Sequence, residues 1–129
     1  MLLLDLDRTL VDLQSFTDYS AALADVRTLV GEWSDADVPE TDWDRPTQAC
    51  MSVLHSLLGD PRWNQVSDAI AVHERAAVPQ GVAMPTVSEA LALLGPVGVG
   101  VVTLLPVDVA TDALIARGVP ILGICYGMQ

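Results

Sequence analysis

The chain opens on an apolar run, Leu2-Leu3-Leu4, that stops at Asp5 and is followed by Leu6 and Leu10, with Asp7 and Thr9 set between them. A short continuous apolar run of this kind predicts a buried strand. That strand delivers two carboxylates and a hydroxyl into one loop, because residues two apart on a strand point to the same side. From Phe16 the period changes. Phe16, Tyr19, Leu23, Val26, Val30 and Trp33 recur at intervals of three and four, which predicts a helix over 15–33. Residues 34–45 hold five carboxylates and a proline without periodicity and read as a solvated loop. Pro46 then opens a helix with an apolar side of Cys50, Val53, Leu54, Leu57 and Leu58, stopped by Gly59. Asp60-Pro61 starts another, with Trp63, Val66, Ile70 and Ala77 facing inward. Apart from that loop, residues 15–78 are therefore expected to be helical.

Beyond a breaker-rich connector over 79–85, Thr86-Val87-Ser88-Glu89 has the pattern of a capping box for a short helix through Leu94, ended by Gly95-Pro96. Val97 to Thr103 is a continuous apolar run, rich in β-branched residues, of the kind that a parallel strand buried on both faces requires. Helical spacing returns over 107–117 with Gly118 as its stop, and 119–125 reads as a further buried strand. Strand, helical insert, helix, strand, helix, strand is the order of a parallel α/β sheet. The insert would then lie above the sheet's C-terminal edge, where such sheets place their ligands.

Composition narrows the partners. At 129 residues with half of them apolar, the chain can bury the core of one ordinary domain. A net charge of −11 and a pI near 4.1 argue against a nucleic-acid surface, which needs basic patches. All six basic residues are arginines. The N-terminus lacks the basic region of a signal peptide and no apolar stretch is long enough to span a bilayer, so a cytoplasmic protein without a membrane partner is expected. Cys50 and Cys125 do not form a disulfide framework or a zinc pattern, and His55 and His73 lie on separate helices without a third ligand.

Apolar residues followed by Asp5-x-Asp7-x-Thr9 resemble the first signature of the haloacid dehalogenase superfamily, the Mg2+-dependent phosphoryl-transfer enzymes. The resemblance implies a Rossmann-like parallel sheet formed by 1–14 and 81–129, with 15–80 as an inserted helical cap governing access. It implies Asp5 as nucleophile and Mg2+ ligand, Asp7 as acid/base and second metal carboxylate, Thr9 as a phosphate-binding residue, and a small phosphorylated substrate. The residue types suit that chemistry, since a carboxylate attacks a phosphoryl group once a cation offsets the repulsion between them. Of two neighbouring carboxylates, one is expected to have its pKa raised, which suits a proton donor. The plainer alternative is that Asp7 and Thr9 end a strand and cap the next turn. The second signature, a strand ending in Thr or Ser, is matched by Val99-Gly100-Val101-Val102-Thr103, which makes Thr103 a phosphate-binding candidate. The family's remaining signatures, a basic residue and an acidic pair, have no assignable counterpart: there is no lysine, Arg117 lies in a predicted helix, and no acidic residue follows Asp112. A sheet of this kind would be incomplete at the C-terminus, with an unpaired edge open to self-association.

Gly118 to Gln129 resembles something else, the nucleophile elbow of class I glutamine amidotransferases such as the glutaminase domain of GMP synthase. That likeness implies Cys125 as an alternative nucleophile, with the Tyr126 N–H as an oxyanion donor. The family's catalytic His and Glu follow the cysteine, however, whereas His55 and His73 precede it. The simpler reading makes 120–125 the next parallel strand, with Cys125 as a small buried hydrophobe. A third reading is a non-enzymatic remnant or interaction module.

Overall fold

A computed structural model describes residues 1–34 and 37–118 in full and residues 124–126 by their backbone. In chain order the described elements are β1 (Leu2–Asp5), β2 (Val11–Asp12), α1 (Tyr19–Val30), α2 (Pro46–Ser56), α3 (Arg62–Ala77), β3 (Val82–Ala83), α4 (Val87–Leu93), β4 (Val99–Thr103), α5 (Val107–Ala116) and β5 (Ile124–Tyr126). The chain divides into two compact units, one of Met1–Thr17 with Glu74–Met128 and one of Asp18–His73.

The first unit is an α/β structure around a parallel sheet of order β1-β4-β5. Leu2 is in register with Val99 and Asp5 with Val102, while Val101 to Thr103 pair with Ile124 to Tyr126. Parallel neighbours need a crossover, and α5 supplies the one between β4 and β5. Asp108 in its first turn complements the helix dipole, and Gly118, at φ +64°, follows its end as the left-handed stop that a residue with a Cβ resists. Its apolar face, Val109, Ala110, Ala113 and Leu114, is buried with Leu6, Leu10, Val11, Leu13, Val101 and Leu105. Leu114 is fully buried, so Leu114→Ala is expected to lower stability by about 2–5 kcal/mol, read as a drop in the denaturant midpoint. A loss under about 0.5 kcal/mol, the range of surface substitutions, would place α5 outside the core.

Three expectations need correction here. The sheet is not buried on both faces among the described residues: Leu3 is 53% and Val102 37% exposed, whereas Val101 points into the core. The strand pattern was apolar throughout and carried no alternation that could separate the two faces. Thr86 precedes α4 but makes no side-chain cap, because its backbone sits at φ +63° rather than in the extended region from which an N-cap hydroxyl reaches back. The connector contains β3, paired antiparallel with β2. Two-residue strands have no period to detect.

In the second unit, Tyr19, Ala22, Leu23, Val26 and Val30 of α1 pack with Ala49, Cys50, Val53 and Leu54 of α2 and with Trp63, Val66 and Ile70 of α3. The first helix starts at Tyr19 rather than at residue 15 because the Asp18 carboxylate accepts the Ala21 N–H at 3.0 Å, a cap that fixes the entry. His73 Nε2 lies 2.7 Å from Asp25 Oδ2, joining α3 to α1. Arginine–tryptophan contacts secure the acidic loop, with Arg62 4.7 Å from the Trp33 ring and Arg27 5.6 Å from that of Trp43.

At the start of α3 the Asp60 carboxylate accepts the Arg62 backbone N–H at 2.8 Å and a two-pronged contact from its guanidinium at 2.9 and 2.6 Å. These bonds hold the Asp60 carboxyl down at about 2, with the guanidinium bonds as the largest cause. The stability this linkage contributes is present above the ordinary value of 3.8 and is lost as pH falls through about 2. A carboxyl titration followed by NMR should place the Asp60 midpoint near 2, and a midpoint near 4 would remove the claimed bonding.

Candidate active site

The site grows out of the end of β1. Asp5 is the last residue of that strand and is solvent-exposed, while Leu6 is fully buried and anchors the chain as it turns. The Leu6 carbonyl accepts the N–H groups of Thr9 at 3.3 Å, Leu10 at 2.8 Å and Val11 at 3.1 Å, and the Arg8 N–H donates to the Val11 carbonyl at 2.7 Å. Six residues after Asp5 the chain is therefore pinned back beside it. To close this loop Arg8 adopts φ +63°, a left-handed conformation that a residue with a Cβ disfavours.

Each predicted side chain then has a definite setting. The Thr9 hydroxyl donates to Asp5 Oδ2 at 3.4 Å, a long contact that turns it toward the carboxylate. Asp7 is half-buried, and its Oδ1 accepts the backbone N–H groups of Leu13 at 2.9 Å and Gln14 at 3.0 Å. Burial raises the Asp7 pKa above the usual carboxylate value; the two N–H bonds oppose that rise, and the charges of Asp12 and Asp5 add to it. Asp12 itself accepts the Ser15 N–H at 3.1 Å. Thr103 ends β4, one residue beyond the partner of Asp5, and is buried. Its Oγ1 accepts the Leu105 N–H at 3.1 Å, so its own O–H remains a donor for a further acceptor. The parallel register thus brings Asp5 and Thr103 to the same end of adjacent strands.

Among the described residues no group of three or more His, Cys, Asp and Glu side chains gathers as a metal cluster. Asp5 and Asp7 offer hard carboxylate oxygens, the donor type that Mg2+ accepts when water and substrate oxygens complete its shell. Arg117 is not near that role. Its Nη2 donates to the carbonyls of Val78 at 3.0 Å and Pro79 at 2.8 Å, where it fastens the connector. Cys125 sits in β5 opposite Val102, in keeping with a strand, but its side chain and its flanking Gly123 and Gly127 lie outside the described residues, as does the rest of the elbow-like run. Cys50 is buried in the helical unit.

The settings of Asp7 and Arg8 were not readable from spacing. The partners of Asp7 are backbone groups six and seven residues away, and the strain at Arg8 follows from loop closure, not from its own identity.

No family model matches the chain, and no curated protein does. Among solved structures it is similar to a haloacid dehalogenase-like hydrolase from Streptococcus pneumoniae, with 18% identity and a TM-score of 0.59 over 99% of this chain and 61% of that one. It also resembles L-2-haloacid dehalogenase from Xanthobacter autotrophicus, at 17% identity and a TM-score of 0.48, over 97% of this chain and 55% of that one. A subfamily IA hydrolase of the same superfamily from Geobacter sulfurreducens is 20% identical, with a TM-score of 0.42, over 97% and 61%. The first likeness shows that the fold is the Rossmann-type α/β fold of haloacid dehalogenase-like hydrolases, of which this chain spans about three-fifths of a solved example's length. These structures lend no support to the amidotransferase-like reading of 118–129. No described helix is long and apolar enough to cross a membrane.

Proposed function

We propose that the chain carries the nucleophile loop of a phosphoric monoester hydrolase acting on a small phosphorylated molecule. The observation that carries this reading is the unequal pair of carboxylates on one loop: Asp5 exposed at the strand end, Asp7 half-buried with its pKa raised. An exposed carboxylate suits attack, and a carboxyl that keeps its proton to higher pH suits donation. An Asp5 oxygen attacks phosphorus as the ester P–O bond breaks, and the departing oxygen takes the Asp7 proton. Asp7, now a carboxylate, removes a proton from water. The water oxygen bonds to phosphorus, phosphate leaves, and Asp5 is regenerated.

Thr9 orients the attacking carboxylate, and the free O–H of Thr103 donates to a phosphoryl oxygen. Asp5 would hold Mg2+ together with water and substrate oxygens, the Asp7 carboxylate joining it only after giving up its proton, and the ion would supply positive charge against the repulsion between carboxylate and phosphate. The helical unit Asp18–His73, inserted in sequence between the loop and β4, is proposed as the cap. Purified chain with Mg2+ should release phenolate from an aryl phosphate. Folded protein that yields none would overturn the reading.

A further inference from the structure

The candidate loop is strongly acidic. Asp5, Asp7 and Asp12 lie within eight residues, and each would repel an incoming phosphate. The first unit holds three arginines, no histidine and no lysine. Two of the three already have partners within the unit. Arg75 donates to both oxygens of Asp108, at 2.6 and 3.4 Å, and Arg117 to the carbonyls of Val78 and Pro79. Arg8 is the third. It is exposed, and among the described residues its guanidinium has no hydrogen-bond or ion-pair partner. It also stands between Asp7 and Thr9 at φ +63°, where glycine would sit without strain. Strained positions of this kind cluster where a side chain or loop shape is needed for binding or catalysis.

We infer that Arg8 is the anion-binding residue of the loop, its guanidinium taking two oxygens of a phosphate group presented to Asp5. This rests on the reading of Asp5 as the group that meets phosphate. The planar fork matches two phosphate oxygens, which the point charge of a lysine does not. Phosphate binding is thereby supplied from within the nucleophile loop, in a chain without lysine.

The test is titration of the full chain with inorganic phosphate, by calorimetry and by amide shifts, for wild type, Arg8→Gly and Arg8→Lys, each with and without Mg2+. Arg8→Gly is expected to weaken phosphate binding at least ~10-fold while its melting temperature stays level or rises, because the glycine relieves the left-handed strain. Arg8→Lys should recover part of the affinity. Unchanged affinity in Arg8→Gly, or no phosphate binding by folded wild type, would overturn the inference. The two readings fail separately. Arg8-dependent phosphate binding without turnover removes the hydrolase and keeps the anion site, whereas turnover with phosphate affinity indifferent to Arg8 does the reverse.

Discussion

Asp5→Asn is expected to remove at least ~10³-fold of the proposed aryl phosphatase activity while leaving the melting temperature within a degree or two of wild type. The substitution keeps the shape of the side chain and an oxygen that can accept the Thr9 hydroxyl, now 3.4 Å from Oδ2. Because Asp5 is exposed at the end of β1, no buried group loses a partner, and surface changes of this kind stay within about 0.5 kcal/mol. What is lost is nucleophilicity, since an amide oxygen carries no charge with which to attack phosphorus. Kinetics and melting must therefore separate. A variant that keeps a tenth or more of the activity would show that the attacking group lies elsewhere.

Asp7→Asn should lower turnover by about 10²–10⁴-fold, the span that a general acid/base supplies. Its effect on stability has the opposite sign. The folded chain holds the Asp7 proton more tightly than the unfolded chain does, first through burial and then through the Asp12 and Asp5 charges. The stability this gives is present in full below the ordinary value of 3.8 and is lost as pH rises through the raised folded value. At neutral pH the wild type carries the cost of a half-buried charge that asparagine does not have. The asparagine oxygen can still accept from Leu13 and Gln14. Thermal melts should thus show Asp7→Asn level with wild type near pH 3 and level or higher near pH 7. Asp7→Ala, which leaves both N–H groups without their acceptor, should instead lose about 1–3 kcal/mol at both pH values. Equal destabilisation by Asn and Ala at neutral pH would mean that the charge, not the oxygen, holds the loop.

The fold was legible in the sequence wherever a period or a stop was long enough to act. The apolar run to Asp5 gave β1, the three–four spacing gave α1 to α3, and the Val99–Thr103 run gave a strand parallel to β1. The stops at Gly59 and Gly118 also hold, since both take positive φ. What escaped depended on tertiary placement. Strands β2 and β3 exist through pairing rather than through pattern, and the exposure of Leu3 and Val102 reflects which face of the sheet is covered. Thr86 illustrates the limit of local rules, since its capping-box sequence fits and its backbone does not. At the candidate site, spacing and the family resemblance singled out Asp5, Asp7 and Thr103, and the register sets Asp5 and Thr103 at the same end of adjacent strands. The setting of Asp7 came from burial, which raises its pKa, and from the amides of Leu13 and Gln14, which oppose that rise and which no spacing rule connects to Asp7.

The same two amides turn the loop into its own indicator. Leu13 and Gln14 donate to one oxygen of Asp7, so their proton chemical shifts will follow the charge on that carboxyl. Protonation at Asp7 can then be timed from backbone resonances alone, in the resting protein and with phosphate present, without a chromogenic substrate or an added label.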